Sequence, residues 1–110
     1  MSLIEISKVY FKNFSRKDLS GLEKMFSKEV SLRDWEIGAT GINEVLKANK
    51  KIFESVDSIH VIPIRMYNDN NTVIAELKID VNNGQEKILV VDIIEFDGAG
   101  KIIDIKAFKG

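Results

Sequence analysis

Asp92 lies in the middle of Lys87-Ile88-Leu89-Val90-Val91-Asp92-Ile93-Ile94-Glu95-Phe96, a run that is otherwise apolar almost throughout. Such a run reads as a strand covered on both faces. Residues two apart share a face, so Asp92 points the same way as Ile88, Val90, Ile94 and Phe96. A lone ionised carboxylate among such neighbours is costly. It must find a partner, stay protonated or line a cavity. A second inward carboxylate candidate is Asp34, at the far end of the alternating stretch Val30, Leu32, Asp34. Tyr10 lies on the apolar stripe of an N-terminal helix. Desolvation raises a carboxyl pKa, so Asp92 is expected to be largely protonated at neutral pH and able to donate a hydrogen bond. A phenol supplies a second donor. Asp34, nearer water beside Arg33 and Trp35, is placed to act as a base. Each residue also has a structural reading. Asp92 can be bonded to a lysine or an amide, Asp34 can cap a strand, and Tyr10 can be a core tyrosine.

The elements that must position these residues follow from periodicity. Leu3, Ile6, Val9, Tyr10 and Phe14 recur at three and four, a helix over Leu3 to Phe14. Asp18 caps a shorter helix that buries Leu19, Leu22, Met25 and Phe26, and Gly21 weakens it. Val30 to Trp35 is a short strand, and Gly38-Ala39-Thr40-Gly41 a loop. Thr40 is the expected N-cap of a third helix through Phe53, with Ile42, Val45, Leu46, Asn49, Ile52 and Phe53 on one side. Longer strands follow at Ser58 to Tyr67, Thr72 to Val81, Lys87 to Phe96 and Lys101 to Lys109. Pro63 marks an edge or a bulge in the first of these. The turns are Asn68 to Asn71, Asn82-Asn83-Gly84 and Asp97 to Gly100. Helices early and strands late describe an α+β domain, with three helices on one face of a strongly bent antiparallel sheet.

The 110 residues suit one domain spanning 1–110. Without cysteine there is no disulfide framework and no thiolate chemistry. A net charge of −1 with interspersed signs gives no footprint for nucleic acid. No apolar run approaches a membrane span, and the N-terminus lacks the zones of a signal peptide, so a cytoplasmic protein is expected. One histidine and scattered acids make no metal-ligand spacing. His60 reads as an ordinary sheet histidine, and Lys47, Lys50 and Lys51 as a solvated helix face.

Several local stretches carry a family likeness: Tyr10, Asp18-Leu19-Ser20-Gly21-Leu22, Val30 to Asp34, Thr40-Gly41, Asn83-Gly84-Gln85, Val91 to Asp97 and Gly100-Lys101-Ile102. With the order helix, helix, short strand, helix, strands, the chain resembles the cone-shaped nuclear-transport-factor-2-like (SnoaL-like, cystatin-like) superfamily, and within it bacterial ketosteroid isomerase. In that enzyme one aspartate is the base, and a tyrosine and a protonated aspartate hold the enolate oxygen. The resemblance implies that these roles fall on Asp34, Tyr10 and Asp92. It implies no cofactor, and an apolar small-molecule ligand. The pocket would be lined by Phe26, Trp35, Asn49, Val90, Ile94, Ile105 and Ala107. The chain departs from the family at Phe26 and Asn49, where supporting tyrosines are usual, and at Trp35, where proline is usual. The same scaffold also serves as a binding module without chemistry, or as a cyclase or hydrolase. Finally, if Asp92 faces the pocket, Leu89, Val91 and Ile93 face away from it. Ile102 and Phe108 are expected to join them in an uncovered apolar patch that predicts a homodimer through the outer face of the sheet.

Overall fold

The computed structural model describes residues 1–110. In chain order the elements are α1 (Leu3–Ser15), α2 (Leu19–Met25), β1 (Phe26–Arg33), β2 (Gly38–Thr40), α3 (Ile42–Ser55), β3 (Ile59–Asp69), β4 (Thr72–Val81), β5 (Glu86–Phe96) and β6 (Ile102–Lys109). The six strands form one sheet in the order β2-β1-β6-β5-β4-β3. The pairs β1–β2, β3–β4, β4–β5 and β5–β6 are antiparallel, whereas β1 and β6 run parallel, and β2 and β3 are the two edges. The expected all-antiparallel sheet is therefore mixed. The chain leaves β1 through β2 and α3 to the far edge, and the meander from β3 brings β6 back alongside β1 in the same direction.

Local chemistry explains most boundaries. A capping box starts α1: Ser2 Oγ accepts from the Glu5 N–H at 3.1 Å, and Glu5 Oε1 accepts from the Ser2 N–H at 3.2 Å. Asp18 caps α2 as expected, with Oδ1 accepting from the Gly21 N–H at 2.9 Å. A Cβ on Gly21 would sit 2.6 Å from Asp18 Oδ2, so the glycine that weakens the helix is what lets its cap close. Thr40 is not the cap of α3. Gly41 takes that position at φ +90° with no side-chain cap bond, because Gly38–Thr40 is drawn into strand β2 beside β1. Beyond Ser15, the Lys17 ammonium donates to the Val56 and Asp57 carbonyls and ties the end of α1 to the end of α3.

Two irregularities re-aim side chains. A register shift between Pro63 and Arg65 puts Met66 opposite Ala75, on the core side. Pro63 thus marks both a bulge and, with β3 outermost, an edge strand. In the β5–β6 pair, Glu95 faces Asp104 while Phe96 faces Ile102, which leaves Ile103 as the extra residue of a bulge. This turns Ile102 inward, where it is fully buried. The expected place of Ile102 on the outer apolar face is thereby corrected.

The core lies between the helices and the inner face of the sheet. Phe11, Leu22, Phe96 and Ile105 are buried almost completely, each contributing about 1.5–3 kcal/mol by removal from water. Helix α1 packs over β3 and β4, α3 over β1 and β2, and α2 joins the two helices. The layers do not meet everywhere, and the space left between them is the candidate site.

Candidate functional site

Asp92 stands in a row of three side chains across the sheet. Its register partners are Ala75 on β4 and Ala107 on β6. Ala107 borders open space beside Asp92 on the helix-facing side of the sheet, whereas Ala75 is fully buried in the core. That space opens into a cavity of about 320 Å³ between helices and sheet, at the small end of ligand-pocket sizes. Its walls are mostly apolar, with Phe11, Phe14, Leu32, Leu77 and Val90 among them.

Tyr10, Asp34 and Asp92 all border this one cavity. Tyr10 comes from α1, where its ring is held among Phe11, Phe14 and Phe26 at centroid distances of 5.5, 6.0 and 6.2 Å. Asp34 follows β1 directly and heads the turn into β2. Its Oδ1 accepts from the N–H groups of Glu36 (2.7 Å) and Ile37 (2.6 Å), and its own N–H donates to the Ile37 carbonyl at 2.9 Å. This side-chain-to-backbone turn fixes the carboxylate and leaves Oδ2 as the free oxygen.

Asp92 is 8 % exposed. Burial pushes its pKa up to about 7, and the Asp34 carboxylate adds to the rise by repulsion. No hydrogen bond or ion pair contributes to the shift, so the acid is not tied off by a lysine or an amide. The acid thus holds its proton far above the ordinary carboxylate range, the direction expected of a group that donates a hydrogen bond near neutral pH. The Tyr10 phenol is also raised, first by burial and then by the Asp92 charge, and is a firm O–H donor at neutral pH. The Asp34 charge thus bears on Asp92, and the Asp92 charge on Tyr10.

Of the other expected lining residues, Trp35, Asn49, Val90, Ile105 and Ala107 border the cavity. Phe26 and Ile94 do not. Phe26 packs against the Tyr10 ring, and Ile94, fully buried opposite Val73 and Ile105, belongs to the solid core. Trp35 is half-exposed at the rim, with the Lys109 ammonium 5.8 Å above its ring, a cation–π contact. Asn49 is 1 % exposed, and its Oδ1 is shut away without a partner. An unpaired buried amide costs about 1–3 kcal/mol. Lys109, Glu86, Ile59 and Val61 also border the cavity and were missed from the sequence. Two-residue alternation from Ile105 through Ala107 signals Lys109, whereas the bulge at Pro63 blurs the face of β3.

His60 is exposed, as are Lys47, Lys50 and Lys51 on α3. No group of three or more His, Cys, Asp or Glu side chains is arranged to hold a metal ion. No helix is long and apolar enough to cross a membrane.

Solved structures share this architecture. A candidate SnoaL-like polyketide cyclase from Shewanella denitrificans OS-217 is similar over 98% of this chain and 90% of its own, at 14% identity and a TM-score of 0.87. A candidate ketosteroid isomerase from Kribbella flavida DSM 17836 covers 96% of this chain and 76% of its own, at 16% identity and a TM-score of 0.80. An LEH-like epoxide hydrolase from M. tuberculosis covers 98% and 82%, at 14% identity and a TM-score of 0.83. At these identities the likeness is one of fold. Among curated proteins none matches the chain. The sequence model of the SnoaL-like domain matches residues 8–105, nearly the whole chain, and this protein belongs to that family.

Proposed function

We propose that the protein is an enzyme that abstracts a proton next to the carbonyl of an apolar small molecule held in the cavity, using only its own side chains. The observation that carries this reading is a buried acid, Asp92, without a hydrogen-bonding partner and with a pKa raised to about 7, sharing one cavity with a phenol and a second carboxylate. In the proposed step, Asp34 Oδ2 takes the α-proton. The C–H electron pair becomes the C=C bond of an enolate, and the carbonyl π pair moves onto oxygen. Tyr10 and neutral Asp92 donate hydrogen bonds to that oxygen. Where the enolate is conjugated with a second double bond, Asp34 returns its proton to the far carbon, which gives the shifted isomer; otherwise the enolate carbon attacks a second carbonyl, whose oxygen takes the proton from Asp34 as the ring closes. A binding module requires neither the unpartnered acid nor the free Asp34 oxygen.

The test is proton exchange. In D2O, 2-tetralone should incorporate deuterium at its α-carbons faster with the protein than in buffer. Asp34→Asn should remove about a hundredfold or more of that acceleration. Exchange that is unchanged in Asp34→Asn would falsify the proposal. Phenol binding in the cavity with no exchange at all would favour a binding module.

Two copies are proposed to pair through the outer face of the sheet, where Tyr67, Ile74, Leu89, Val91 and Phe108 are exposed.

A further inference from the structure

Two polar side chains on the helices are fully buried, Ser7 and Asn49, and only Ser7 is satisfied locally. Ser7 donates to the Leu3 carbonyl at 2.8 Å, Ser15 to Phe11 at 2.9 Å and Ser55 to Ile52 at 2.7 Å. Asn49 makes no such bond. It lies on the core face of α3 with Val45, Ala48 and Phe53, all hydrocarbon, and is as buried as they are. Asparagine is a poor choice for a helix interior, and leucine would fill the position without a desolvation cost. The carboxamide is not spent on the fold. Its Oδ1 is shut away, and the open space the residue borders is the cavity. A half-turn of the amide exchanges oxygen and nitrogen, so the group can present a donor or an acceptor there.

Asn49 stands on a helix, whereas Asp92 stands on the sheet. A single polar anchor leaves an apolar body free to turn about it, and a second on another wall fixes its orientation. The cavity has the liquid volume of about ten water molecules, enough for one or two rings with substituents.

We propose that Asn49 binds a second oxygen of the ligand. The ligand class is then an apolar one- or two-ring compound with two oxygen functions: a carbonyl at Tyr10 and Asp92, and a hydroxyl, carbonyl or ether oxygen at Asn49. This rests on the proposed reading for the first oxygen.

Calorimetric titration with 2-naphthol and the dihydroxynaphthalene isomers tests it. At least one dihydroxy isomer should bind the parent about tenfold more tightly than 2-naphthol, as expected for one added hydrogen bond to a buried amide. Asn49→Leu should erase that advantage and leave 2-naphthol affinity within about twofold. Asn49→Ala reads the same loss if leucine crowds the helix. The proposal is overturned if no isomer gains over 2-naphthol, or if the gain survives in both variants. It is equally overturned if both probes weaken together, because Asn49 would then be acting through Tyr10. Asp92→Asn separates the two readings. If 2-naphthol binds it as tightly as the parent, the role given to Asp92 fails, while the difference between probes still reports on Asn49.

Discussion

Strand β5 breaks the ordinary rules of burial on both of its faces, in opposite senses. On the concave side Asp92 is a carboxyl withdrawn from water between Val90 and Ile94. On the convex side Leu89 is 57 % exposed, and Phe108, on the neighbouring strand and paired with Val91, is 54 % exposed. A polar group with no water and hydrocarbon with too much of it are both costly, and the costs differ in kind. The acid's cost depends on pH and is relieved by protonation or by a ligand that accepts its hydrogen bond. The cost of the outer patch is nearly independent of pH and is relieved only by covering it. One face of the strand borders a cavity, and the other is open to solvent.

The largest expected effect tests the concave side. Asp92 has a native pKa above its ordinary value of 3.8. From about pH 4 upward the unfolded chain releases this proton, while the native protein keeps it until about pH 7. Native stability therefore falls across that window and levels off above it. Asp92→Asn has no such titration. Urea unfolding should show the variant gaining on the parent by about 4 kcal/mol between pH 4 and pH 8, from the size of the shift at about 1.4 kcal/mol per unit. A constant gap between the two proteins would mean that Asp92 is solvated or paired, and the contrast with the outer face would disappear.

Next in size is the convex side. The parent is expected to sediment as a dimer at micromolar concentration, and Leu89→Lys with Phe108→Glu as a folded monomer. Losing two apolar anchors weakens association by about 2–4 kcal/mol. A parent that stays monomeric at these concentrations would remove the outer face from the comparison. The smallest effect sharpens the division within the cavity. Tyr10→Phe should weaken 2-naphthol binding by about 1–2 kcal/mol, one hydrogen bond, and leave the unfolding midpoint nearly unchanged, because the aromatic cluster is kept.

Much of this arrangement was legible in the residues. The alternation of Thr72 to Val81 and the apolar run around Asp92 define β4 and β5 almost to the residue, because strand period and turn chemistry at Asn82-Asn83-Gly84 agree. Tyr10, Asp34 and Asp92 were each visible as residues out of keeping with their surroundings or matched to the family's roles. What was hidden depends on pairing between distant segments. Gly38–Thr40 has little strand character of its own and becomes β2 only because β1 offers it an edge. The parallel β1–β6 pair, the inward turn of Ile102 and the withdrawal of Phe26 and Ile94 from the cavity all follow from registers that no local pattern encodes.

The Ala75–Asp92–Ala107 row separates two kinds of change. Substituting Ala107 with a larger side chain takes room from beside the acid while Tyr10, Asp34 and Asp92 stay as they are, whereas the same change at the fully buried Ala75 meets packed core. The size of the cavity can therefore change while Tyr10, Asp34 and Asp92 remain on its wall. Position 107 offers this chain a short mutational path to a cavity of another size, travelled without disturbing the core.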